Sequence, residues 1–367
     1  MTPNYDVVVV GGGAIGTACA RELAAQRRRV LVVEPGGNRG QAWRAAAGML
    51  APQIEADASD PLLRLGLAAR KHYEVLGPSL LESTGIDIGL WCEGIARVAT
   101  EPAEAATLQA KVAWQQQQGY ACQWLDGDQI RRRWPWLGPA VGALWAPRDG
   151  ALDPERLVAA LLADARRLGA TVADDRVTAV SRSGDRVSGV IGEAAHYRAP
   201  QVVIAAGAWS GQITDLPRQL PVRPVRGQMA ALPWPQGIEP AILYRNDCYI
   251  LARGGEAIVG STMEEAGFRP EVTAQGVARI LTATLSLCPA LIRAKVRRTW
   301  AGLRPMTPDG LPVIGAEPEL SGLWYATGHG RNGILLAGLT GQLVGQLLEG
   351  ERPSQDLSAF TPERFGS

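Results

Sequence analysis

The most polar cluster near the end of this 367-residue chain is "HGRNGILLAG", residues 329 to 338, where an imidazole, a guanidinium and an amide stand beside two glycines. A run rich in leucine follows at helical spacing. A helix starting there would present free N–H groups and the positive end of its dipole to an anionic partner. The bland alternative is a surface loop that happens to begin a helix. The remaining chemistry-bearing types are sparse. Three histidines (His72, His196 and His329) and five scattered cysteines without a CxxC pair argue against a metal site and against a disulfide framework.

A second cluster opens the chain. "YDVVVVGGGAIGTACARELAAQRRRVLVVE" reads as strand, glycine turn, helix and strand. Val7 to Val10 form a short apolar run of the kind buried in a parallel sheet. Gly11, Gly13 and Gly16 fit G-x-G-x-x-G: one glycine for a tight turn, one for close approach of a pyrophosphate, one for helix–strand packing. The helix expected from Ala14 to Ala25 would point its N-terminus at the phosphates. The second strand, Val30 to Val33, ends on Glu34, placed to accept hydrogen bonds from a ribose diol and to disfavour a 2′-phosphate. After it comes "PGGNRGQAWRAAAGMLAP", with no third strand. Small residues let backbone lie against a flat ring system, and the N–H groups of Ala47, Gly48 and Met49 could meet its polar atoms. FAD is favoured over a nicotinamide cofactor.

The elements that must position these clusters follow from bulk properties and periodicity. The length favours two domains. The hydrophobic fraction of 46%, the charged fraction of 20% and the net charge of +1 are ordinary for a globular protein and offer no field for nucleic acid. No run approaches the ~20 apolar residues of a membrane span, and the N-terminus does not read as a signal peptide. A soluble cytoplasmic protein is expected. Residues 60 to 83 read as a helix. Asp153 can cap another that starts at Pro154, and Val202 to Ala205 read as a buried strand. The expected division is a discontinuous cofactor domain over 1–85, 148–212 and 300–367, with a second domain over 86–147 and 213–299.

Taken in order, "VVVVGGGAIG", "AAAGMLAP", "AAGAWSG", "WAGLRPMTPDGLPVIG" and "GHGRNGILLA" resemble the glycine oxidase branch of the D-amino-acid oxidase superfamily over essentially the whole chain. The glycine motif is common to many flavoproteins; "AAAGML" combined with "GLRP" and "RNGILLA" is far more specific. The resemblance implies an α/β (α+β overall) fold, with a glutathione-reductase-like, Rossmann-type FAD domain and a substrate domain built on a mainly antiparallel sheet. It implies FAD-dependent oxidation of a small amine or amino acid, often tied to thiamine biosynthesis. Hydride would pass from Cα to the flavin, and oxygen would serve as acceptor. FAD contacts carry over to Ala14, Ile15, Glu34, Pro35, Ala47, Gly48 and Met49, to Val177, and to His329, Gly330, Arg331, Asn332, Gly333, Ile334 and Leu335. Arg304 matches the arginine that grips the substrate carboxylate, Arg331 a second substrate-side arginine, and Tyr249 and Met263 pocket positions. No general base is expected. A homo-oligomer is implied.

The sequence departs from that pattern in places. Ala42 and Trp43 stand where small hydroxyl residues are common near the FAD phosphates. Asp247 replaces a neutral or basic residue. A two-residue Gly254–Gly255 turn would pair Arg253 with Glu256 and put Tyr249 and Met263 on opposite faces. Arg304 could instead be a structural partner of Asp309. Two other functions stay open on sequence: a dehydrogenase of D-amino acids or proline-like amines that passes electrons to another acceptor, and a non-catalytic FAD-binding module.

Overall fold

The computed structural model describes residues 5–246 and 248–366. The four valines Val7–Val10 form the central strand of a six-stranded sheet, flanked in parallel by Val30–Val33 and Gln201–Ile204. Thr171–Ala173 extends the sheet beyond Val30–Val33, and Leu323–Thr327 and Val313–Ala316 extend the other side. The missing third strand therefore comes from far along the chain, which is why the segment after Glu34 reads as irregular.

The glycine turn leads into helix Ala14–Ala25, as the motif predicts. This helix packs between helices Pro154–Arg167 and Gly333–Leu348 on one face of the sheet. Their alanines, leucines and glycines let the axes approach closely. Asp153 accepts from the backbone N–H groups of Glu155 and Arg156, so the expected cap is made. Helix Pro61–Thr84 begins behind the Asp60 side chain and stops at the left-handed Gly85, a proline-start and glycine-stop pattern. A three-stranded sheet, Val177–Ser183, Arg186–Gly192 and His196–Arg198, covers the opposite face through an apolar cluster that includes Val180, Val190 and Tyr325.

A separate eight-stranded sheet runs in the order Arg298–Met306, Arg223–Pro233, Glu256–Gly260, Cys248–Arg253, Ile242–Arg245, Ile95–Ala99, Gly142–Ala146 and Gln123–Asp126. It is antiparallel except where Ile242–Arg245 lies parallel to Ile95–Ala99. Arg298–Met306 is one continuous strand of this sheet, paired along Arg223–Pro233. A boundary at residue 300 would cut it, so this sheet keeps the chain through Met306. Among the described residues no helix is long and apolar enough to cross a membrane.

Candidate active site

The glycine loop is shaped by backbone contacts that admit no side chain. Gly11 sits at φ +107°, and a Cβ there would lie 2.4 Å from the Ala205 carbonyl oxygen. A Cβ on Gly16 would fall 1.8 Å from the carbonyl oxygen of Gly11. Gly16 is thus the packing glycine, outside the cavity. Gly13 is different: Gly11, Gly13, Ala14 and Ile15 all line a cavity of about 380 Å³ in front of the helix N-terminus, and no side chain caps that terminus. The Glu34 carboxylate reaches back to accept the Gly12 N–H at 2.7 Å, and burial raises its pKa.

The same cavity is lined by Pro35, Val177 and the small-residue run Ala45 to Met49. Gly48 is held at φ +83°, with the Leu152 carbonyl oxygen 2.0 Å from any added Cβ. Arg253 donates to the carbonyl oxygens of Ala47 and Leu152 at 2.8 and 3.2 Å, which fixes that run in place. The opposing wall is the segment His329 to Ile334. Its helix also starts without a side-chain cap. Leu335 turns away into the apolar core, where it lies 3.3 Å from a Cβ built on Gly66. As a side chain it belongs to the helix packing and not to the cavity wall.

Two buried polar atoms of residues lining this cavity lack a hydrogen-bond partner among the described residues, the indole Nε1 of Trp43 and the Nδ1 of His329. Unmatched buried donors and acceptors are costly. Their presence in a cavity with glycine cradles and two uncapped helix starts fits a large flat cofactor with a diphosphate, and FAD has that form. Trp43, standing where a hydroxyl was expected, thus still offers a donor beside Gly13.

His329 Nε2 lies 3.1 Å from Thr340 Oγ1, and burial pushes its pKa down to about 3. The unfolded chain, near the ordinary value, then binds one more proton than the fold between pH 3 and about 6.5. Stability from this group is present above about pH 6.5 and is lost as pH falls, by about 1.4 kcal/mol per unit. In apoprotein denaturation, His329→Asn should recover about 2 kcal/mol of the wild-type loss between pH 6.5 and 5. Parallel pH profiles for the two proteins would contradict a neutral buried imidazole.

The cavity also takes in Tyr249, Arg304 and Arg331, which come from three distant stretches. Arg304 donates to the Thr262 carbonyl oxygen at 3.1 Å and to Ser261 Oγ at 2.7 Å. Both acceptors are neutral. Asp309, the structural partner considered for it, is bound instead by Arg364 at 2.7 Å. Burial lowers the Arg304 pKa, as expected of a guanidinium whose hydrogen-bond acceptors among the described residues carry no charge. A Cβ on Gly227 would meet its Nη1 at 2.0 Å, so Gly227 is what leaves room for it.

Tyr249 is buried, its pKa pushed up to about 12 by that burial, and its hydroxyl donates to Met229 Sδ at 3.2 Å. Its ring stacks on Tyr244 with centroids 6.5 Å apart. The hairpin has the predicted register, Arg253 opposite Glu256 and Tyr249 opposite Gly260. The strand ends at Gly260, so Met263 lies beyond the sheet, 41% exposed and away from the cavity. Its expected place in the pocket is corrected on that ground. Asp247 lies outside the described residues.

Arg331 does not stand alone. Its Nη2 donates to Glu55 Oε1 at 2.9 Å and to the Tyr244 hydroxyl at 2.7 Å. The Glu55 carboxylate beside it pushes the Arg331 pKa further up. Glu55 and Tyr244 were not anticipated from sequence. Tyr244 stands in the strand that pairs with Cys248–Arg253, directly opposite Tyr249. Nothing local signals Glu55.

Residues 6–347 match the model of a family described as FAD dependent oxidoreductase, DAO. Glycine oxidase of Geobacillus kaustophilus is 37% identical over 99% of this chain and 98% of its own length. The crystal structure of that enzyme superposes with a TM-score of 0.94 over 98% of both chains. Bifunctional protein ThiO/ThiG of a Synechocystis species is 35% identical across the whole chain, which spans 55% of that longer protein. The structure of iminodiacetate oxidase from Chelativorans superposes with a TM-score of 0.90 at 27% identity, over 97% of this chain and 98% of that one.

Proposed function

We propose, for a chain that belongs to the DAO family of FAD dependent oxidoreductases, that this site oxidatively deaminates glycine or another small amine or amino acid such as sarcosine or D-alanine. The observation that carries the reading is Arg304, a half-buried guanidinium in the cavity whose hydrogen-bond acceptors among the described residues are both neutral. Its fork is suited to a carboxylate, and two parallel hydrogen bonds would fix the substrate Cα. Tyr249 closes one side of that position. Gly330 to Ile334 would hold the flavin ring, and the glycine loop with Glu34 its diphosphate and ribose.

The bound flavin supplies a hydride acceptor. The chain's own groups supply position and field. Arg304 holds the acid, and the uncapped helix start at Gly333 stabilises negative charge that develops in front of it. The Arg304 guanidinium disfavours a second positive charge nearby, which favours the neutral amine that hydride loss requires. The overall balance is glycine, oxygen and water giving glyoxylate, ammonia and hydrogen peroxide. Oxygen as acceptor, homo-oligomeric assembly and a cytoplasmic setting belong to the same proposal. So does the division into an FAD-binding part around the six-stranded sheet and a substrate-binding part around the eight-stranded one.

Anaerobic titration of the yellow protein with glycine, sarcosine, D-alanine and D-proline tests it. Flavin bleaching by one of them is expected, with colour and peroxide appearing when air is admitted. Bound FAD that none of the four can bleach would overturn the reading. Bleaching without peroxide would remove oxygen as the acceptor and leave a dehydrogenase.

A further inference from the structure

Two guanidinium groups face the substrate end of the cavity, yet their surroundings differ in charge. Arg304 ends on Thr262 O and Ser261 Oγ. Arg331 is matched by Glu55, with Tyr244 accepting from the same nitrogen. Glu55 is not a mobile surface acid that drifted in. It ends the short helix Pro52–Glu55, whose Gln53 and Ile54 N–H groups donate to one oxygen of the buried Asp149 carboxylate at 3.1 and 3.0 Å. Arg70 holds that carboxylate from the other side, and Arg97 binds the Ile54 carbonyl oxygen at 3.2 Å. The backbone that presents Glu55 is therefore anchored at the two residues before it, Gln53 and Ile54.

We propose that Glu55 sets the substrate class of this site: by neutralising Arg331 it leaves Arg304, among the described residues, as the uncompensated cation at the substrate end, so the site accepts amines bearing one carboxylate and turns away those bearing two. The inference rests on the amine-oxidase reading above. A monoacid places its carboxylate on Arg304 and meets no further charge demand. A diacid such as iminodiacetate must bring its second carboxylate toward Arg331, where the Glu55 carboxylate on Nη2 already balances the guanidinium charge and repels the newcomer. Removing the Glu55 charge while keeping its size would convert Arg331 into a second receptor.

The test uses the FAD-loaded enzyme and two ligands that cannot be oxidised as amines, methoxyacetate with one carboxylate and diglycolate with two. Dissociation constants come from the change in flavin absorbance. In the wild type, methoxyacetate should bind more tightly than diglycolate. Glu55→Gln should shift the ratio of the two constants at least tenfold toward diglycolate, and Glu55→Asp, which keeps the charge, should leave the ratio near wild type. Adding Arg331→Gln to Glu55→Gln should abolish the gain. In turnover, the ratio of kcat/KM for iminodiacetate to that for sarcosine should move with Glu55→Gln in the same direction. An unchanged ligand ratio in Glu55→Gln, or a gain that survives loss of Arg331, would overturn the proposal. Because binding is read without turnover, failure of the amine-oxidase reading shows separately, as wild-type flavin that glycine and sarcosine leave oxidised.

Discussion

Arg304→Gln should lower kcat/KM for the amino acid about a thousandfold, while leaving thermal stability unchanged or higher. Truncating one partner of a buried, hydrogen-bonded charge pair costs about 2–5 kcal/mol, and each 1.4 kcal/mol is a factor of ten. The stability direction follows from burial, which lowers the Arg304 pKa, while its hydrogen-bond acceptors among the described residues are neutral. A half-buried cation without a counter-charge among the described residues is costly until a ligand arrives, and glutamine removes that cost. Arg304→Lys keeps the charge and loses the fork, so about a tenfold to hundredfold loss is expected. Gly227→Ala approaches the clamp from behind, since the added methyl would stand 2.0 Å from Nη1; it should raise KM by displacing the guanidinium. Rapid mixing under anaerobic conditions, following flavin reduction, measures these losses. A Gln variant that still reduces its flavin at wild-type efficiency would remove the carboxylate clamp, and a sharp drop in Tm would make Arg304 structural.

The local elements were legible because their causes are local. Four valines followed by glycines can only be buried strand and turn, and strand Val7–Val10, helix Ala14–Ala25 and strand Val30–Val33 form over the residues read from sequence. The hairpin register was legible too, since a Gly-Gly turn sets it. Long-range pairing was not. The strand beside Val30–Val33 is Thr171–Ala173, three residues whose own pattern could not announce it. Likeness of motif points to Arg304 and Arg331 as the proposed substrate-side arginines, and likeness names positions without their partners. Glu55 meets Arg331 across 276 residues, and a charge pair at that separation leaves no trace in spacing. Met263 shows the opposite failure: likeness placed it in the pocket, and the end of the strand at Gly260 put it outside.

The glycines of the first turn separate folding from cofactor binding. Gly16→Ala should destabilise the apoprotein by more than about 3 kcal/mol, because overpacking at an unyielding contact exceeds the usual cost of an added methyl. The new Cβ would stand 1.8 Å from the Gly11 carbonyl oxygen, and backbone cannot step aside without parting helix Ala14–Ala25 from its strand. Gly13→Ala meets a softer neighbour, the Trp43 ring at 3.3 Å, which can shift by tenths of an ångström. Apoprotein stability should therefore change by less than about 1 kcal/mol. The effect appears in the cofactor, because Gly13 lines the cavity where the diphosphate would meet the uncapped helix start. A methyl there blocks close approach to the N–H groups, and the FAD dissociation constant should rise about tenfold to a hundredfold. Chemical denaturation of FAD-stripped protein and FAD titration by flavin fluorescence measure the two quantities independently. If Gly13→Ala binds FAD as the wild type does, the diphosphate does not lie in this cradle. If Gly16→Ala folds as well as the wild type, the close helix–strand contact is not needed to build it.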